Sequence, residues 1–161
     1  MATKVPKSKD EQIGANEAKW GKTTMAAGWT AVPNILLERQ STLGISPTQL
    51  NILMIIFKHW WEHDNLPFPE MNTIAAAMGV SRSTVQRNIR VLEQLGLINR
   101  IYRKAKHGGN TSNQYDFDKL VKLLAAYAKD EIAHKEKGKE AKKKRLTPKG
   151  NKPALKVVSS S

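Results

Sequence analysis

The stretch from Phe68 to Tyr115 constrains this chain more than any other. It begins Phe68-Pro69-Glu70-Met71-Asn72-Thr73-Ile74-Ala75-Ala76-Ala77-Met78, passes through Gly79-Val80-Ser81, and continues Arg82-Ser83-Thr84-Val85-Gln86-Arg87-Asn88-Ile89-Arg90-Val91-Leu92. The first part is Ala-rich and free of helix breakers beyond Pro69, which predicts a short helix from about Glu70 to Met78. Gly79-Val80-Ser81 leaves room only for a tight turn, and Ser81 suits the N-cap of a helix beginning at Arg82. That second helix runs to about Leu95, where Gly96 stops it. A short helix, a tight turn and a longer basic helix, in that order, make a helix-turn-helix.

At about 100° per residue the second helix sorts its residues into two faces. Val85, Ile89 and Leu92 form an apolar face that belongs in a core. Arg82, Ser83, Gln86, Arg87 and Arg90 share a polar face with no acid before Glu93. Any amphipathic helix has a solvated side with some arginine on it; here the preceding helix, the turn and the strand pair that follows favour a reading face. Arginine offers a bidentate fork to guanine O6 and N7, and glutamine does the same for adenine N6 and N7. The partner so implied is double-stranded DNA, with the five polar-face residues as candidates for reading bases in the major groove. Ser81 and Thr84, at the helix N-terminus, are candidates for phosphate contacts.

Leu97–Lys104 and Gln114–Phe117 read as strands, joined through Ala105–Asn113 with Gly108-Gly109 as the turn. This hairpin carries Arg100, Arg103, Lys104, Lys106 and His107. Of these, Arg103, Lys104, Lys106 and His107 are candidates for contacts to the DNA backbone or the minor groove, whose negative potential favours cations. Asn113 and Tyr115 fit a structural role on the return strand. Upstream, Ser46-Pro47-Thr48-Gln49 is a helix start, with Ser46 as cap, Pro47 in the first position and Gln49 completing a capping box. That helix is expected to reach about His63. Leu50, Leu53, Met54, Phe57 and Trp61 line one side and Ile52, Ile55 and Ile56 the other, so it should be buried on both sides. One side would face the helix-turn-helix. The other would face the Trp29–Leu43 segment, read as a short packed helix around Ile35-Leu36-Leu37, or a second protomer.

The expected fold is therefore mainly α with a small β-hairpin wing, a winged helix-turn-helix over residues 29–117. Residues 1–28 read as a flexible arm. Residues 118–134 read as a helix capped by Asp118, with Leu120, Leu123, Leu124 and Tyr127 on one face that could mediate dimerisation. Residues 135–161 read as a disordered basic tail, broken by Pro148, Gly150 and Pro153.

Composition agrees and excludes several alternatives. The formal net charge is +13, and residues 135–161 hold ten Lys or Arg against two Glu, which suits a polyanionic partner without choosing DNA or RNA. With no cysteine in the chain, disulfides, thiol catalysis and Cys-ligated zinc are excluded. The N-terminus has no secretory h-region, and the apolar run Ile52–Phe57 is too short to span a bilayer; a cytoplasmic protein is expected, with no membrane partner. His59-Trp60-Trp61-Glu62-His63 has the form H-x-x-E-H, which places two His one helical turn apart as a zinc protease does. No acidic helix is in evidence to supply a third ligand, so neither a metal nor catalytic residues are assigned. Gly21-Lys22-Thr23 resembles the end of a phosphate-binding loop but has Asn16 where glycine is required, and no strand before it. Trp60 and Trp61, beside Leu and Phe at helical spacing, are expected in the core.

Residues from about Gly28 to Glu131 resemble the winged helix-turn-helix DNA-binding proteins of bacterial plasmids and other mobile elements, which are related to the DNA-binding domains of plasmid replication initiators. The resemblance rests on Trp29-Thr30-Ala31-Val32-Pro33-Asn34-Ile35-Leu36-Leu37-Glu38-Arg39-Gln40, on Phe68-Pro69, on Met78-Gly79-Val80-Ser81, on Gly96-Leu97-Ile98 and on Ser112-Asn113-Gln114-Tyr115. The resemblance implies DNA binding and admits both transcriptional regulators and replication initiators. A regulator is the expectation, a repressor because a small domain covering a promoter blocks polymerase, and a homodimer on a palindrome because one domain has few elements to cover its apolar faces; an initiator that binds repeated origin sites is the alternative. A metalloprotease built on the His59–His63 motif and an RNA-binding adaptor using the tail are the readings from other classes. No cofactor and no small-molecule substrate are implied.

Overall fold

The computed structural model describes residues 8–103 and 112–146. Their elements are, in order, α1 (Lys9–Trp20), α2 (Lys22–Ala26), α3 (Asn34–Glu38), α4 (Pro47–Phe57), α5 (Met71–Met78), α6 (Arg82–Gln94), β1 (Asn99–Ile101), β2 (Gln114–Asp116) and α7 (Asp118–Leu146). The chain divides into two units, Met1–Val121 and Lys122–Ser161. The first is mostly helical with one two-stranded antiparallel hairpin, in which Arg100 pairs with Tyr115. This is the expected fold class.

In the first unit α4, α5 and α6 pack on one another. Each contributes apolar residues at helical spacing: Ile52, Leu53 and Ile56 from α4, Ile74 and Ala75 from α5, and Val85, Ile89 and Leu92 from α6 are all buried. Leu36 of α3 is fully buried as well, so the segment before α4 packs on the domain as its sequence suggested. Leu97, Ile98, Tyr115 and Phe117 extend the core under the hairpin. Fully burying a side chain of this size contributes roughly 1.5–3 kcal/mol.

Local signals fixed several element ends. Ser46 and Gln49 form the capping box at α4, with Ser46 N–H donating to Gln49 Oε1 at 2.8 Å and Gln49 N–H to Ser46 Oγ at 3.2 Å. Gly79 closes α5 at φ 65°, ψ 32°, a left-handed conformation that costs any residue with a Cβ about 1–2 kcal/mol. Ser81 caps α6 through the Thr84 N–H.

Other expectations need correction. α4 ends at Phe57 rather than near His63. The His59 N–H donates to Ile56 C=O and the Trp60 N–H to Phe57 C=O, each at 2.9 Å, so the last turn tightens and the helix stops. The tightening brings the Trp60 ring onto Phe57 and Phe117, with centroids 6.0 and 5.3 Å away, while Phe57 meets Phe117 edge-on at 5.0 Å. Trp61 consequently turns outward and is 73% exposed, not in the core. The two His of the H-x-x-E-H sequence are therefore not one helical turn apart. His63 Nδ1 instead bonds Asp64 Oδ1 at 2.8 Å, which raises the His63 pKa, the hydrogen bond first and the charge of Asp64 second.

Residues 9–20 and 22–26, within the segment expected to be a flexible arm, are helical. Ser8 and Glu11 form a second capping box at the start of α1, although no residue of α1 is buried. Asp118 is not the cap of α7 but its first residue, its N–H bonded to Asp116 Oδ1 at 2.9 Å. α7 also continues past His134 to Leu146, through part of the segment expected to be disordered. Lys, Glu and Ala are good helix formers, and Glu131 Oε1 lies 3.3 Å from Lys135 Nζ one turn later. Pro148, Gly150 and Pro153 lie outside the described residues. No helix among the described residues is long and apolar enough to cross a membrane.

Candidate nucleic-acid interface

α6 presents its polar face outward because its apolar face is committed to α4 and α5. Arg82, Ser83, Arg87 and Arg90 are exposed and Gln86 is half-buried, so all five base-reading candidates lie away from the core face. At the N-terminus the hydroxyls form a cluster. Ser81 Oγ accepts from the Thr84 N–H at 3.2 Å and lies 2.8 Å from Ser83 Oγ and 2.9 Å from Thr84 Oγ1. Each hydroxyl has one proton to donate and two lone pairs, so capping the helix does not prevent the cluster from also meeting a phosphate oxygen. Asn88 is half-buried and bonds its own helix, its Nδ2 donating to Thr84 C=O at 2.9 Å.

The hairpin does not offer its arginines equally. Arg100 is engaged with α6 as a bidentate pair, Nε to Glu93 Oε1 at 3.1 Å and Nη2 to Glu93 Oε2 at 2.9 Å. Its side chain is only 8% exposed, so Arg100 ties β1 to the end of α6 rather than facing outward. The same pair explains how Glu93 can sit at the edge of a basic face, since its charge is neutralised by the hairpin. Arg103 is half-buried and lies over the Phe68 ring, its guanidinium carbon 5.0 Å from the centroid. Lys104, Lys106 and His107 fall outside the described residues.

Between the start of α5, the start of α6 and the base of the hairpin lies a cleft of about 580 Å³, whose lining includes Asn72, Arg82, Gln86, Tyr102, Arg103 and Asn113. Two of the base-reading candidates, Arg82 and Gln86, thus share a surface with Arg103 of the wing. Tyr115 is fully buried beneath it, and its N–H holds the loop before α5 by donating to Pro67 C=O at 2.9 Å. Burial pushes the Tyr115 phenol pKa up from its ordinary value. Its hydroxyl makes no hydrogen bond to a described residue. The structural role expected of Tyr115 therefore rests on ring packing and on its backbone, not on its hydroxyl.

Two surface aromatics escaped the sequence reading. Tyr102 is 70% exposed with the Arg100 guanidinium carbon 4.8 Å from its centroid, and Phe68 is 50% exposed beneath Arg103. Pro67 and Pro69 are both buried on either side of Phe68. The alternation Pro67-Phe68-Pro69 was the available signal, since two fixed prolines hold the residue between them on one side of the loop. Among the described residues no group of His, Asp or Glu is arranged to hold a metal.

Residues 43–98, which span α4 to the end of α6 and the entry to β1, match the family model described as a helix-turn-helix domain. No curated protein matches the chain. Among solved structures, the N-terminal domain of DnaD protein from Geobacillus kaustophilus is similar at 24% identity and a TM-score of 0.51, over 76% of this chain and 96% of that one. MepR of S. aureus, solved as a DNA complex, matches at 20% identity and a TM-score of 0.41 over 87% of this chain and 98% of that one. YusO of Bacillus subtilis matches at 19% and 0.38 over 88% of this chain and the whole of that one. The helix-turn-helix match, together with the hairpin that follows it, gives this chain the winged helix-turn-helix fold.

Proposed function

We propose that this protein is a sequence-specific double-stranded-DNA-binding transcriptional regulator, a repressor, of a plasmid or similar mobile element. The observation that carries the reading is the outer face of α6, where Arg82, Ser83, Arg87 and Arg90 stand exposed beside Gln86 on a helix whose other face is fixed in the core. A helix held that rigidly can be laid into the major groove without rearranging the domain. The match to a helix-turn-helix family supports DNA as the partner. The mobile-element context rests on the sequence resemblance. Repression is the sign adopted because a small domain covering a promoter excludes polymerase by occupancy alone.

A homodimer on a palindrome is the arrangement proposed for it. Leu120 and Leu124, expected at the dimer surface, are already buried in the single chain. Among the described residues, the exposed large apolar side chains of α7 are Val121, Leu123 and Ile132, and these are the better candidates. A second reading, origin binding for replication initiation, is favoured by the exposed Tyr102 and Phe68 beside the cleft, a surface suited to opened DNA. The two readings separate by their sites, a palindrome over a promoter against an array of repeats.

The test is genome-wide mapping of bound sites in the host, followed by titration of the recovered site. Arg87→Ala and Gln86→Ala should each cost about 1–3 kcal/mol at that site and much less on random duplex. Equal losses on both duplexes would refute base reading by this face.

A further inference from the structure

Tyr102 and Phe68 are large aromatic side chains left at the surface at the edge of the cleft beside α6, and each carries an arginine on one face of its ring. Both rings have neighbours that are tied down. Arg100, behind Tyr102, is locked by its two hydrogen bonds to Glu93. Phe68 sits between two buried prolines, on a loop held to β2 by the bond from the Tyr115 N–H to Pro67 C=O. With Arg100 over one face of Tyr102 and the residue still 70% exposed, the opposite face of the ring is open. The adjoining cleft, about 580 Å³, falls in the roughly 300–1,000 Å³ range typical of small-molecule sites and is lined by Arg82, Arg103, Gln86, Asn72 and Asn113, with Glu70 a carboxylate at its edge.

A flat ring with one open face, next to guanidinium groups and amide side chains, is the chemistry that holds an unpaired nucleotide. The base stacks on the aromatic, the phosphate meets arginine, and Asn or Gln reaches the base edge. A fully paired duplex cannot use the ring in this way, because its bases are already stacked on each other. We propose that the cleft takes an unpaired DNA base, stacked on Tyr102 with its phosphate between Arg82 and Arg103, so that the protein prefers duplex with a locally opened stretch over fully paired duplex. This rests on the DNA-binding reading above and adds to it the state of the DNA that is recognised.

The experiment compares binding of the full chain, by fluorescence anisotropy, to a paired duplex and to the same duplex interrupted by a short tract of unpaired thymidines. Preference for the interrupted duplex is expected at about five- to a hundredfold, the value of one stacked base. Tyr102→Ala should abolish the preference by weakening the interrupted duplex far more than the paired one, and Tyr102→Phe should retain it. Because Tyr102 is mostly solvent-exposed, neither change should disturb folding, and circular dichroism checks this. Equal affinity of the unmodified protein for both duplexes overturns the proposal while DNA binding stands. A Tyr102→Ala loss shared equally by both duplexes also overturns it, by making the ring a backbone contact. Absence of binding to either duplex overturns the DNA-binding reading itself, and this proposal with it.

Discussion

The pair between Glu93 and Arg100 should anchor the hairpin to α6. Two charges about 4 Å apart at an effective dielectric of about 20 attract by roughly 4 kcal/mol. Desolvation offsets part of this, and hydrogen bonds to charged groups net about 1.5–3 kcal/mol in practice. The geometry is bidentate at 3.1 and 2.9 Å, and the side chains are 8% exposed for Arg100 and 25% for Glu93. Removing Glu93 alone leaves the Arg100 guanidinium enclosed without its counter-charge. Breaking buried pairs in this way costs about 3–5 kcal/mol, and the water that reaches Glu93 places this one lower, at about 2–3 kcal/mol. Urea unfolding of the parent, Glu93→Ala, Arg100→Met and the double variant closes a thermodynamic cycle, with methionine keeping the packed stem of Arg100. The coupling energy should be about 1.5–3 kcal/mol and change little with salt, since an enclosed pair is weakly screened. A coupling below about 0.5 kcal/mol, the value of an exposed pair, would show that the pair does not anchor the hairpin.

Tyr115→Phe keeps the buried ring and removes a hydroxyl that bonds to no described residue, so stability at neutral pH should stay level or rise by about 1 kcal/mol; a loss of that size in chemical denaturation would reveal a partner for the hydroxyl. The same residue sets a pH dependence. With the folded-state pKa raised, the stability it contributes is complete below the ordinary tyrosine value of about 10 and is lost as pH rises through the folded value. The parent should therefore weaken in alkali more than Tyr115→Phe, and parallel pH profiles would contradict this. Gly79→Ala should cost about 1–2 kcal/mol through its φ of 65° alone, because a Cβ there would meet nothing within 4 Å. Thermal melts read the loss, and no loss would mean that the turn can relax.

What was legible in the sequence was what neighbouring residues decide. The Ser46–Gln49 box, the Gly79 turn, the Ser81 cap and the apolar period of α6 all act within a turn or two, and each appears where expected. The end of α4 was not legible because Phe117, far along the chain, draws Trp60 out of helical continuation and leaves Trp61 outside. The charge on Arg100 was legible, but not its engagement, since whether an arginine meets a base or a carboxylate depends on how β1 lies against α6. α1 is a different kind of miss. Ser8 and Glu11 carry the same capping signal as Ser46 and Gln49, but no apolar stripe follows it to mark a packed helix. The polar face of α6 could be named residue by residue from periodicity, whereas the exposed aromatics beside it depend on which side of a proline-framed loop Phe68 falls.

α1 carries a capping box and a Lys19–Trp20 contact at 5.1 Å, yet none of its twelve residues is buried. A helix of that length that buries no residue is close to its own coil transition in water, while α4, α5 and α6 can unfold only together. Helicity and tertiary packing should therefore report different thermal histories. Far-ultraviolet ellipticity would decline gradually from low temperature as α1 frays, and the packed helices would follow later in one sharp step. Backbone amides of α1 would exchange with solvent by brief local openings, long before those of Ile52 or Ile89, whose release requires the whole core to open.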